Sequence, residues 1–217
     1  MSAVARYLLA DHFRSRRWVP PFLLLAVGVV VLYAEPPNPV LSTAGGVAAF
    51  LLVAQCWLAL AFLNTEGTSD RQIVAATACG RALVLGRLVG LAALTAGTSL
   101  LTLAYPVLTG SFERVPDVHE LGLILLANLV CAAAGSALAA LFAQPAVRSR
   151  AVAVLGLIGA LVVTVPLGLS PAVATADAMD TTKIARVPDH LGVALVSVAA
   201  FVILASGASA VLWRRRE

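Results

Sequence analysis

The residues able to do chemistry in this chain gather in one polar run. Glu66, Gly67, Thr68, Asp70, Arg71, Thr77, Arg81 and Arg87 fall within EGTSDRQIVAATACGRALVLGR, between two long apolar stretches. Carboxylates and guanidiniums so concentrated suit charged contact with a partner surface. Nucleotide chemistry is missing, since there is no GxxxxGK[ST] loop and Lys183 is the only lysine. His12, His119 and His190 remain as candidates for coordination. His119 stands near Asp117 and Glu120, and His190 follows Asp189, but no ligand-spacing motif joins them. Solvated loop residues are the expectation, with no metal, no cofactor and no catalytic residue in this chain. Asp117 and Glu120 equally suit the N-terminus of the helix that follows, where acids are favoured.

The elements that position this run are set by composition. Hydrophobic residues make up 60% and charged residues 12%, where a soluble domain carries about a quarter charged. A water-facing surface could hardly be covered, so the chain is expected in a membrane. Apolar stretches fall at 18–34, 41–63, 83–108, 121–143, 151–169 and 191–213. Each is near the ~20 residues that cross a bilayer as a helix. They are continuous, unlike the alternating ~10-residue segments of a barrel. The expected fold is an all-α polytopic membrane protein with six transmembrane helices, a single transmembrane domain over 1–217.

Arginine and lysine set the orientation. One side collects Arg6, Arg14, Arg16, Arg17, Arg71, Arg81, Arg87, Arg148, Arg150, Arg214, Arg215 and Arg216, twelve in all, and the other only Arg114, Lys183 and Arg186. Basic short loops stay cytoplasmic, which places both termini and the polar run inside. The net charge of +4 is thus a topology signal, and no nucleic-acid partner is expected. The basic stretch from Arg6 to Arg17 is long for a secretion signal, so the first apolar stretch is read as a retained span. Within 1–17, Val4, Leu8, Leu9 and Phe13 alternate with Arg6, Arg14 and Arg17, an amphipathic pattern suited to a helix in the membrane interface. Pro20 and Pro21 open the first span, where missing donors cost little.

Other features are less specific. Cys56, Cys79 and Cys131 share no outer face, and no disulfide is expected. Glu35 to Pro39 makes a short stiff outer turn, while 170–190 is long enough to carry structure of its own. Gly86 and Gly90, the patch from Ala132 to Ser136 with Ala140, Gly156 and Gly159, and Ser206 to Ser209 permit close helix approach. The spans hold no ionisable residue at their middles, only Gln55, Asn128, Thr95, Thr98, Ser99, Thr102 and Thr164. That argues against a proton-coupled pump, a channel with charged rings and an intramembrane metalloprotease.

The polar run has its own start signals. Thr68 or Ser69 can cap a first turn, Asp70 suits the positive end, and Gln72 can reach back. Ile73 to Ala76 then continue a short surface helix that ends near Gly80. Here the sequence resembles the ABC-2 type permeases of ABC transporters, which carry Glu, Gly-Thr, an acid followed by Arg, then Thr-Pro, Arg and a Gly-basic pair between spans two and three. Glu66, Gly67, Thr68, Asp70-Arg71, Thr77, Arg81 and Gly86-Arg87 keep that order. Ala78 replaces the common proline, and Gln72-Ile73 the common Leu-Leu.

The resemblance implies the permease subunit of an ATP-driven exporter in the bacterial cytoplasmic membrane. Such a subunit pairs with a second permease and contacts two copies of a separate cytoplasmic ABC ATPase, which holds ATP and Mg. The helix over 1–17 and the loop over 65–82 become the contact elements, with Glu66, Gly67, Thr68, Asp70, Arg71, Thr77 and Arg81 coupling to the ATPase. Gln55, Asn128, Thr95, Thr98 and Thr102 become candidate pathway lining, few enough to point to an amphipathic, lipid-like, peptide or antibiotic cargo. Two readings compete: a non-transporting membrane anchor or assembly subunit, and a membrane-embedded enzyme acting on lipid. The enzyme would need clustered acids or histidines near the interface.

Overall fold

A computed structural model describes residues 2–35, 37–64, 80–143 and 149–164. They form six helices in chain order: α1 (Ser2–Arg14), α2 (Val19–Leu32), α3 (Val40–Leu63), α4 (Gly80–Thr109), α5 (Val118–Phe142) and α6 (Arg150–Thr164). No strand occurs among them beyond an isolated bridge between Asn38 and Phe112. The polar run from Glu66 to Thr77, the outer loop at 170–190 and the last apolar stretch at 191–213 lie outside the described residues.

Among the described residues three helices are long and apolar enough to cross a membrane: α3, α5 and Leu85–Thr109 of α4. This is the make-up of a helical membrane protein. The first expected span is occupied by α2 with 14 residues, and the start of the fifth by α6 with 15. Helix α2 falls below the ~20 residues a bilayer core requires, while the residues that follow α6 lie outside the described ones. Val4–Arg14 and Val19–Leu32 pass the same test only as a pair, and they meet at 78°.

Local chemistry explains the breaks. Pro20 and Pro21 start α2, where a helix has no partner for their missing N–H groups. Just before them Arg16 takes φ 55°, a left-handed conformation costing a non-glycine residue roughly 1–2 kcal/mol. The turn is closed from Arg16 N to Phe13 O, Val19 N to Arg16 O and Trp18 Nε1 to Phe13 O, at 3.4, 3.2 and 3.0 Å. Helix α4 runs one turn past Pro106 and stops at Gly110 with φ 63°. Ser111 N then donates to Pro106 O at 3.1 Å, the reach-back bond of a glycine-terminated helix. At α5, Asp117 and Glu120 form a capping box, with Asp117 N donating to Glu120 Oε2 at 3.0 Å. Glu120 also receives Arg114 Nη1 at 2.9 Å, and that ion pair holds its carboxyl below the usual carboxylate range.

The core is the α3–α5 pair. Of their most apolar windows 67% and 61% is buried, against 33% for α4, so α4 flanks the pair. A Cβ at Gly135 of α5 would lie 2.5 Å from Leu52 O and 3.1 Å from Cys56 N of α3, so the two backbones touch here because no side chain intervenes. On α4 the two small residues serve different neighbours. Gly86 faces Val4 of α1, and Gly90 faces the Phe62 ring of α3. Helix α6 docks on α5 where Phe142 covers Gly156. Beyond the helices, Asn38 donates to Ser111 O through N and Nδ2, both at 3.2 Å, and accepts from Glu113 N at 3.0 Å. The α2–α3 and α4–α5 loops are thereby tied together.

Candidate functional site

Thr95, Thr98, Ser99 and Thr102 of α4 recur at i, i+3, i+4 and i+7, which places them on one helix face. That face turns inward, while Val89, Leu100 and Leu101 stay exposed on the other side. Gln55 of α3 meets it with Ser136 and Asn128 of α5. Gln55 Nε2 donates to Ser136 Oγ at 3.1 Å and Thr95 Oγ1 at 3.4 Å, and Thr98 Oγ1 donates to Gln55 Oε1 at 3.0 Å. Thr95 and Ser136 also share a hydrogen bond at 3.1 Å. Further along, Asn128 Nδ2 donates to Thr102 Oγ1 at 3.1 Å. The structure therefore brings all five expected midspan residues, Gln55, Asn128, Thr95, Thr98 and Thr102, into one seam, each at most 8% exposed. Ser136 joins them, although its sequence context marked it only as a small packing residue.

The seam is closed at the Gln55 end and open at the Asn128 end. Thr98 Oγ1 also bonds Leu94 O and Thr95 O, and Thr102 Oγ1 bonds Thr98 O and Ser99 O. Asn128 Oδ1 and Ser99 Oγ have no hydrogen-bond partner among the described residues. Replacing Gln55 with leucine thus strands little, since Thr95 and Ser136 keep each other and Thr98 keeps its carbonyls. We expect thermal unfolding in detergent to show a loss near ~0.6 kcal/mol and no more than ~1.7, the measured range for hydrogen bonds between transmembrane helices. Asn128→Leu, which removes an unsatisfied acceptor, should be close to neutral. A Gln55→Leu loss well above that range would mean the seam holds more than α3, α4 and α5 together.

A second cluster forms where α1 meets the ends of α3 and α4. Ala5, Leu8 and His12 are buried, again at helical spacing, with Arg6 and Arg14 exposed on the opposite side. The His12 ring packs edge-on against Phe62 at 5.4 Å. Burial pushes its imidazole down to about 4. Phe13 is half-exposed and stacks on Trp18 at 5.6 Å. Arg17 Nη1 donates to Asn64 O at 3.1 Å, placing a cation on the carbonyl end of α3, where the helix dipole favours it. Sequence reading took His12 as a loose histidine. Its place four and three residues from Leu8 and Leu9 was the missed signal.

Comparison with known proteins finds no matching family model, no matching curated protein and no matching solved structure.

The remaining expected residues divide. Glu66, Gly67, Thr68, Asp70, Arg71 and Thr77 lie outside the described residues. Arg81 lies in α4, next to Gly80, the first described residue of that helix. At the opposite end of the bundle His119 is exposed in the first turn of α5, while Asp117 and Glu120 serve the capping box. Among the described residues, no three of His, Cys, Asp and Glu gather as a metal site.

Proposed function

We propose that this chain is the membrane permease of an ATP-driven exporter of the ABC-2 type, working with a second permease and two copies of a separate cytoplasmic ATPase. The order Glu66-Gly67-Thr68, Asp70-Arg71, Thr77 and Arg81 supports the family. One structural observation supports the mechanism: the polar run leaves α3 directly after Asn64 and rejoins at α4, and α1 is fastened to both. Arg17 and His12 tie α1 to the end of α3, and Gly86 receives Val4 against α4. A force delivered at 65–79 would move α3, α4 and α1 together instead of bending one helix. In this reading α2 stands upright in a bacterial cytoplasmic membrane, both termini and the polar run face the cytoplasm, and the 78° bend lays α1 along the interface. The cargo is amphipathic, drawn from lipid-like molecules, peptides and antibiotics.

The test is copurification from the native membrane with an ABC ATPase, followed by Glu66→Ala and Arg71→Ala. Loss of a charged contact at a partner surface should cut transport-coupled ATP hydrolysis by roughly tenfold, with the protein still inserted. The closure of the Gln55 cluster inside one chain favours a second reading, a non-transporting membrane anchor. An anchor would tolerate both substitutions and copurify with no nucleotide-hydrolysing subunit.

A further inference from the structure

An open cleft of about 130 Å³ lies at the arginine-rich end of the bundle, lined by Arg17, Trp57, Leu60, Ala61, Asn64 and Val154. Its chemistry changes with depth. At the mouth are the Arg17 guanidinium and the Asn64 carbonyl it bonds. Trp57 lies seven residues back along α3, about 10 Å deeper at the helical rise, and everything between is apolar. Trp57 and Val154 are 45% and 42% exposed. They continue into bare hydrophobic faces, Val53 on α3 and Leu155, Ile158 and Val162 on α6.

From this gradient we propose that the cleft is a binding site for an anionic phospholipid, its phosphate on Arg17 and an acyl chain along Leu60, Trp57 and Val154. A guanidinium presents a planar fork of donors that matches phosphate oxygens. The hydrogen bond to Asn64 holds that fork at the end of α3. Arg6, Arg14 and Arg16, all exposed on α1 and the following turn, add a field that favours an anionic over a zwitterionic headgroup. Trp18 stands beside Arg17, and tryptophan is typical of the headgroup level. Free phosphate would gain nothing from the apolar walls beneath Arg17, whereas an acyl chain fills them. The site stands apart from any transport role, since its lipid fastens α1 to α3 and α6 whatever the bundle carries.

Native mass spectrometry of the full chain, titrated with phosphatidylglycerol and separately with phosphatidylcholine, tests this. Phosphatidylglycerol should be retained in preference. Arg17→Gln should weaken its retention about tenfold or more, the worth of a charge-assisted hydrogen bond. Because Arg17 also holds α3, Val154→Trp provides the independent arm: it fills the cleft at an exposed position without altering charge, and should displace the lipid equally. Arg14→Gln, outside the cleft, removes only part of the surrounding field and should weaken retention far less than Arg17→Gln. Equal retention of phosphatidylcholine would overturn the proposal, as would an Arg14→Gln loss as large as that of Arg17→Gln. So would undiminished binding in Val154→Trp, including inorganic phosphate held at Arg17 alone. A disulfide between two copies of a Val154→Cys variant would show that a second chain covers the cleft, and would overturn it too.

Discussion

Gly135→Val should separate α3 from α5 and give a larger loss of stability than substitution at Gly46, Gly90 or Gly97. The added Cβ meets Leu52 O at 2.5 Å, Cys56 N at 3.1 Å and Gln55 Cβ at 3.2 Å. Two of these are backbone atoms inside a helix, so no rotamer change relieves them and one helix must shift. Overpacking a core costs about 1–3 kcal/mol when side chains can adjust, and here they cannot. The shift also pulls Ser136 away from Gln55, opening the closed end of the polar seam. Gly90→Ala is milder by the same reasoning, because its nearest neighbour is the far edge of the Phe62 ring. Gly46→Ala and Gly97→Ala, with nothing within 4 Å of the new methyl, serve as controls and should hold or slightly raise stability by helix propensity. Thermal unfolding followed by size-exclusion chromatography in detergent ranks the four. Gly135→Val melting alongside Gly97→Ala would show that the α3–α5 contact is looser than these distances require.

What a single sequence reveals about such a bundle depends on whether the signal lies within one helix or between two. The stretch 41–63 coincides with α3 to within one residue, because an uninterrupted apolar run has no competing structure. Asp117 and Glu120 could be read as a helix start, since a capping box is local chemistry. Gly86 and Gly90 announced close approach but not to whom, and they turn out to divide between α1 and α3. The pairing of Gln55 with Ser136 was hidden for the same reason: periodicity gives the inward face of each helix but not the register between helices. His12 was hidden by residue type, since a histidine among arginines reads as solvated until its spacing is checked against Leu8.

That histidine also makes stability depend on acidity. In the fold the His12 side chain is fully enclosed, and burial lowers its pKa from 6.5 to about 4. Once α1 detaches, the imidazole regains its ordinary value. Between those two values the detached state binds the extra proton, so stability rises with pH there and is lost as pH falls from 6.5 toward 4. By linkage the docking of α1 weakens by about 2 kcal/mol at pH 5 and up to about 3 kcal/mol at pH 4. Water reaching the ring as α1 loosens makes these figures ceilings. The interval from pH 5 to 6.5 lies above the ordinary carboxylate range, so Glu120, held lower still by Arg114, stays charged across it. His12→Phe keeps the edge-on contact with Phe62 and removes the proton site. Melting temperatures should therefore fall from pH 6.5 to 5 in the wild type and stay level in His12→Phe. Parallel slopes in the two proteins would mean that α1 stays docked with His12 charged, and that its attachment to α3 rests on Arg17, Ala5 and Leu8 instead.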